Sequence, residues 1–94
     1  MNAADWKAHV ADGGCILCLK LIGAHVPANL HHPREGEGLG QRASDFLSIA
    51  LCKEHHQGNG GWHHLGKRGF YMRYLLDELD LLALTIEHAL KRLP

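Results

Sequence analysis

Apolar and polar residues follow a helical period at the two ends of the chain. Near the start, Trp6 and Val10 lie one turn apart, and the pattern predicts a short helix over 3–11. Near the end, a longer helix is predicted over 78–92, with Asp77 as the residue that caps its first turn. The apolar face of this second helix is expected to contain Leu79, Leu82, Ala83, Ile86, Ala89, Leu90 and Leu93.

The middle of the chain has the pattern of short extended segments separated by glycine-rich turns. Residues 15–21 fit a zinc knuckle that leads into a short strand, and residues 24–32 fit an extended segment. The apolar run over 46–52 fits a buried strand. The other predicted segments are a loop over 33–41, a flexible turn over 57–61 and a helix over 67–76. The predicted fold class is therefore α+β, in the order helix, strand, strand, helix, helix.

Length and composition indicate one small domain, over 1–94, that needs an additional source of stability. A chain of 94 residues buries only a modest apolar core, and small domains often contain a structural metal. The formal net charge is zero with histidine neutral, which argues against a strongly basic nucleic-acid binder. We expect a cytoplasmic protein, because the sequence has no evident secretory leader and no apolar run long enough to span a membrane.

Cysteine and histidine are concentrated between positions 15 and 64, a region that contains all three cysteines and seven of the nine histidines. Three cysteines cannot all pair as disulfides, so metal ligation in a reducing compartment is the more natural interpretation. Two pairs with the same spacing supply the thiolate and imidazole donors that zinc binds tetrahedrally: Cys15, Cys18, Cys52 and His55. The alternative is a set of buried cysteines that bind no metal.

A second group of histidines lies in the same region and suggests a second metal site. Adjacent residues on an extended segment point to opposite sides, so either His31 or His32 can bind a metal while the other faces a substrate. His56 directly follows the last zinc ligand, and His63 or His64 lies beyond a glycine-rich turn that can fold back to complete the site. The alternative is that these histidines are exposed neighbours of the zinc site without a catalytic role.

Four pieces of sequence carry a likeness to a known nuclease family. They are Leu30-His31-His32, the run over 38–45, Leu51-Cys52-Lys53-Glu54-His55-His56, and the run over 61–70. Together they resemble the HNH endonucleases with a ββα-metal core, and more closely the phage Ref-like, or recombination-enhancement, nucleases of that group. The resemblance implies a small zinc-stabilised ββα-metal (HNH) domain with an N-terminal helix and C-terminal helices, and a metal-dependent hydrolysis of DNA phosphodiester bonds.

The resemblance also implies a role for individual side chains. His31, His56 and His63 resemble the ligands of a divalent catalytic metal, which would be Mg, Mn, Ni or Zn, while the cysteine-rich set resembles a structural zinc site. His32 resembles the general base, and Asp45 is the nearest polar candidate to orient it. His64 stands where the family has glycine, so His63 is expected to be the last ligand.

The chemistry of phosphodiester hydrolysis agrees with these residue types. The reaction requires an activated water and a cation that offsets charge on the phosphate, and an imidazole can take a proton near neutral pH. The basic side chains nearest the motifs are expected to contact the DNA backbone: Arg34, Arg42, Lys67 and Arg68. The alternative for each of them is an ordinary solvated surface charge.

Two other functions remain open at this point. One is a catalytically silent zinc-binding module that binds nucleic acid or a phage protein, and the other is a structural zinc protein that assembles through its C-terminal helix. The adjacent His31 and His32 favour the enzyme, because a purely structural module needs no spare histidine beside a ligand. The expected partners are DNA and a recombination or phage protein, with no membrane, and with oligomer formation through the C-terminal helix.

Overall fold

The structure is a computed structural model that describes residues 1–33 and 44–94. Within these residues it is a small α+β fold in which a two-stranded sheet is surrounded by helices. In chain order the elements are α1 (Ala3–Asp12), α2 (Ile16–Ile22), β1 (Asn29–His31), β2 (Ile49–Leu51), α3 (Lys53–Gln57), α4 (Trp62–Tyr74) and α5 (Glu78–Lys91). Most of the predicted loop over 33–41 lies outside the described residues.

Helix α2 corrects the prediction of a strand after the first cysteine pair. Cys15 is the N-cap, and its sulfur accepts a hydrogen bond from the backbone N–H of Cys18 at 3.4 Å. Gly23 ends the helix in the left-handed conformation, with φ of 65°, and its N–H donates to the carbonyl of Leu19. Lys20 is the one charged residue between these two caps, and a single polar position does not distinguish a helix from a strand, so the capping residues determine the helix.

Strands β1 and β2 pair antiparallel and carry the first histidines to the edge of the core. Leu30 lies opposite Ala50, and His31 lies opposite Ile49. The second strand is shorter than the predicted 46–52, because Phe46 and Leu47 are exposed and belong to the turn before it. Two strands followed by helices agree with the coarse predicted order, but helix α3, directly after β2, was not predicted, because the predicted helix began only at 67.

Helix α4 begins five residues before the predicted 67–76 and therefore contains both His63 and His64. It follows a tight turn in which a Cβ on Gly61 would lie 2.6 Å from the carbonyl oxygen of Glu54, so only glycine fits there. Gly66, with φ of 72°, interrupts the helical backbone just after the two histidines. The two histidines are thus neighbours in the first turn of a helix that the sequence pattern had placed further along the chain.

Helix α5 closes the core and has the predicted start at Asp77. The side chain of Asp77 accepts from the N–H of Asp80 at 2.8 Å, and Asp80 accepts from the N–H of Asp77 at 2.9 Å. The predicted apolar face is displaced, because Leu79 and Leu90 are 55% and 54% exposed. The buried residues of the helix are Glu78, Leu81, Leu82, Thr85 and Ala89.

Leucine-rich sequence allows two overlapping apolar faces on α5, and packing selects the one centred on Leu81. The hydroxyl of Thr85 donates to the carbonyl of Leu81 at 2.7 Å, so this polar group can be buried without loss of a hydrogen bond. The fully buried side chains at the centre of the core include Leu17, Ile49, Leu51, Phe70 and Leu81. Among residues 1–33 and 44–94, no helix has the length and apolar character needed to cross a bilayer.

Candidate metal centres

The four donors predicted for structural zinc lie together at the junction of α2 and α3. The Nδ1 atom of His55 is 3.6 Å, 3.5 Å and 3.3 Å from the sulfurs of Cys15, Cys18 and Cys52, respectively. The sulfurs of Cys18 and Cys52 are 3.8 Å apart. A tetrahedral zinc ion would separate two sulfurs by about 3.8 Å, and a sulfur and a nitrogen by about 3.6 Å. This cluster can therefore hold a metal ion such as zinc.

The two ligand pairs occupy the same local position on two different helices. Cys15 is the N-cap of α2 and Cys18 is the third helical residue, while Cys52 and His55 have the same relation to α3. The N-cap and third positions face each other across the first turn of a helix, which explains why a two-residue gap presents both donors to one point. Cys18 and Cys52 are 34 positions apart, so the tertiary fold brings the two helix starts together.

Burial opposes the charged form of two of these donors. Burial and the adjacent thiols of Cys15 and Cys52 raise the pKa of the Cys18 thiol to about 12, and burial lowers the pKa of His55. A bound cation would favour the deprotonated thiolates despite their burial. Metal binding at this cluster would therefore release protons. The geometry and the chemistry of the donors both fit zinc.

Three imidazoles form a second cluster next to the first. The Nε2 atom of His56 lies 3.3 Å from Nδ1 of His31 and 3.0 Å from Nε2 of His63. Two nitrogens on a tetrahedral metal ion would be about 3.3 Å apart, so the three donors fit one ion. His31 ends β1, His56 belongs to α3 and His63 lies in the first turn of α4, so three elements build the site.

Burial favours the neutral, metal-binding form of two of the three imidazoles. Burial lowers the pKa of His31, an effect that the Glu78 carboxylate opposes. Burial and then the adjacent imidazoles of His31 and His63 lower the pKa of His56. Neutral imidazoles are metal ligands, and three converging ring nitrogens cannot satisfy one another by hydrogen bonds alone. Three protein ligands leave a fourth position open, which is the arrangement of catalytic metal sites.

Sequence reasoning missed one buried residue at this cluster, Glu78. Its carboxylate accepts a hydrogen bond of 2.7 Å from Nε2 of His31, and both residues are almost completely buried. A signal for this residue was available, because Glu78 lies on the same face of α5 as Leu81, Leu82 and Thr85. An acidic residue on an otherwise buried face requires a polar partner.

His32, the expected general base, directly follows His31 in the chain, and it contacts Asp45, the residue expected to orient it. Nε2 of His32 is 3.4 Å from Oδ1 of Asp45, and both side chains are about one-third exposed, at 30% and 32%. Lys7 approaches the other carboxylate oxygen of Asp45, at 3.9 Å. The pair is thus open to solvent, while the neighbouring His31 points into the buried cluster.

The residues expected to contact DNA are only partly described. Lys67 and Arg68 are exposed on α4, directly after the break at Gly66. Arg34 and Arg42 lie outside the described residues.

Of the two adjacent histidines at the start of α4, only His63 belongs to the imidazole cluster. His64 is exposed and is not part of it.

Comparison with known proteins gave no relatives. No protein-family model matches the chain, and neither the curated proteins nor the solved structures contain a match. The two clusters are therefore interpreted from their own geometry.

Proposed function

We propose that this protein is a metal-dependent endonuclease of the HNH type that hydrolyses phosphodiester bonds in DNA. One observation carries the proposal: three converging imidazoles that leave an open ligand position, next to a solvent-accessible histidine with a carboxylate partner. A purely structural metal site is normally closed by four protein ligands, as the cysteine-rich cluster would be.

The arrangement of elements also supports this proposal. An antiparallel pair of strands precedes helix α3, and the donors lie at the end of β1, on α3 and at the start of α4. This arrangement resembles the ββα-metal core of HNH nucleases. Adjacent positions on α3 direct His55 to one cluster and His56 to the other, so a structural zinc would fix the helix that presents the second site.

In the proposed reaction, His31, His56 and His63 hold the metal and His32 removes a proton from water. A divalent ion at this site would offset the negative charge that develops on the scissile phosphate. The Nε2–H of His32 donates to Asp45, which leaves Nδ1 free to accept the proton of the attacking water. The water oxygen bonds to phosphorus, the bond to the leaving 3′ oxygen breaks, and that oxygen takes a proton from solvent.

Contacts to the DNA backbone would come from basic side chains around the site. Lys67 and Arg68 are exposed on α4, only a few residues after the ligand His63. We propose the same role for Arg34 and Arg42, because they lie near the histidine motifs in the sequence. With no net charge on the whole chain, we expect moderate DNA affinity that depends strongly on salt.

A plasmid-nicking assay tests this function. Wild type is assayed with Mg, Mn, Ni or Zn, beside His32→Ala and the control His64→Ala, which changes an exposed histidine of the same region. We expect cleavage by wild type and the control, and a loss of roughly a hundredfold or more in His32→Ala, as for a lost general base. A protein that binds two metal ions but cleaves with none of these metals would instead be a silent zinc-binding module.

A further inference from the structure

We propose that Glu78, at the start of α5, is a positioning residue that orients His31 toward the second metal. This inference rests on the proposed function, because it assigns the group that controls one ligand of the same site. It adds a part of the chain that no metal-ligand motif includes, the C-terminal helix.

The contact between Glu78 and His31 has the geometry of a carboxylate that orients a metal ligand. Oε2 of Glu78 is 2.7 Å from Nε2 of His31, and the two residues are only 2% and 4% exposed. The carboxylate requires a hydrogen on Nε2, which leaves the lone pair on Nδ1. It is Nδ1 that faces the other donors, 3.3 Å from Nε2 of His56. The bond therefore selects the tautomer that can bind the metal.

The sequence around Glu78 fixes the carboxylate at this place. Asp77 and Asp80 form reciprocal side-chain to backbone hydrogen bonds, which define where α5 begins. Glu78 is the first helical residue, where the positive end of the helix dipole stabilises a negative charge. Leu81 and Thr85 bury the same face of the helix in the core. The orientation of His31 thus depends on the packing of α5.

Other interpretations of this contact make different predictions. A buried ion pair that serves only stability would change the melting temperature without changing metal affinity in the folded protein. A positioning residue instead changes the affinity of the second site and the tautomer of His31. The cysteine-rich cluster contains neither residue and serves as an internal reference for both effects.

The experiment titrates zinc into variants in which the cysteine-rich cluster is already loaded. Glu78→Ala removes the carboxylate, Glu78→Gln keeps its shape without its charge, and Glu78→Asp retains the charge. Two controls accompany them: Glu87→Gln changes an exposed acid on the same helix, and Asp80→Ala weakens the start of α5 while keeping Glu78. Calorimetry gives the affinity of each site, and ¹⁵N NMR of the histidine rings gives the tautomer of His31.

We expect Glu78→Ala to weaken zinc at the second site by about 10- to 100-fold, the range for lost partners of metal-bound histidines. Glu78→Gln should lose less, and Glu78→Asp should recover part of the loss. Glu87→Gln should bind like wild type, and Asp80→Ala should lose clearly less than Glu78→Ala. The NMR spectrum of the metal-free variants should show a mixture of His31 tautomers in Glu78→Ala and one tautomer in wild type.

Three results would overturn the inference. Unchanged second-site affinity in both Glu78→Ala and Glu78→Gln, with two ions bound by wild type, would remove the role of Glu78 and leave the proposed function intact. An equal loss in Asp80→Ala and Glu78→Ala would show that the effect comes from the helix rather than from the carboxylate. A wild type that binds no second ion would overturn the proposed function as well as this inference.

Discussion

The cysteine-rich cluster and the imidazole cluster lie side by side, but their geometry depends on different features of the fold. The first is local: each ligand pair spans one helix start, so a two-residue gap is enough to bring its donors together. The second is assembled from β1, α3 and α4, and its geometry depends on how those elements pack. The difference agrees with the proposal that the closed site stabilises the helices and the open site supports catalysis.

The largest expected effect distinguishes the two clusters by their contribution to folding. Removal of metal from the cysteine-rich site, by a strong chelator or by Cys18→Ser, should unfold the domain. Structural zinc contributes on the order of 10 kcal/mol of apparent binding energy, which is comparable to the stability of a small domain. Circular dichroism during thermal unfolding measures the effect, with His63→Ala as the control that should remain folded. A metal-free chain with an unchanged melting temperature would disprove the prediction.

The second expected effect is the loss of one metal without loss of the fold. His56→Ala and His63→Ala should each reduce the metal content from two ions to one, because three imidazoles cannot be reduced to two without a large loss of affinity. His64→Ala should keep two ions, since its side chain lies outside the cluster. Elemental analysis of the purified variants gives the numbers. Loss of an ion in His64→Ala, but not in His63→Ala, would reverse the assignment.

A third prediction separates metal binding from proton transfer. His32→Ala should keep both ions and lose cleavage by roughly a hundredfold or more, as expected for a missing general base. Asp45→Ala should lose less than His32→Ala, because the carboxylate acts only by orienting the imidazole through the 3.4 Å contact. Cleavage rates at equal metal loading test the order of the two effects. A larger loss in Asp45→Ala would indicate that the carboxylate has a different role.

The smallest expected effect concerns the basic residues of α4. Lys67→Ala and Arg68→Ala should each weaken DNA binding and reduce the slope of log affinity against log salt by about 0.9, the value for one phosphate contact. Lys91→Ala serves as the control, because Lys91 pairs with Glu87 on α5. An identical salt slope in all three variants and wild type would mean that Lys67 and Arg68 are ordinary surface charges.

The sequence predicted the parts of the sites that depend on short-range geometry. The cysteine-rich cluster was predicted from two pairs of donors, Cys15 with Cys18 and Cys52 with His55, each separated by two residues. The start of α5 was predicted from Asp77 as its N-cap. The short strand predicted after the zinc knuckle within 15–21 is a helix instead, because an apolar run of that length fits both elements and only the capping residues distinguish them. The apolar face of α5 was misplaced for the same reason, since leucines on several sides allow more than one face.

The part of the site that the sequence did not predict depends on long-range packing. Glu78 and His31 are 47 positions apart, and no spacing rule connects a helix N-terminus with the end of a distant strand. Their contact exists because α5 packs against β2, the strand paired with β1. Prediction of such a pair requires the tertiary arrangement, which local patterns do not contain.

Native mass spectrometry during stepwise chelation tests the two-site arrangement most directly. We expect wild type to carry two ions per chain, of which the first to leave comes from the imidazole cluster and leaves a folded protein with one ion. The second should leave only under stronger chelation and together with a shift to the charge states of an unfolded chain. A chain that never carries more than one ion, or that loses both ions without unfolding, would contradict the existence of one structural and one catalytic site.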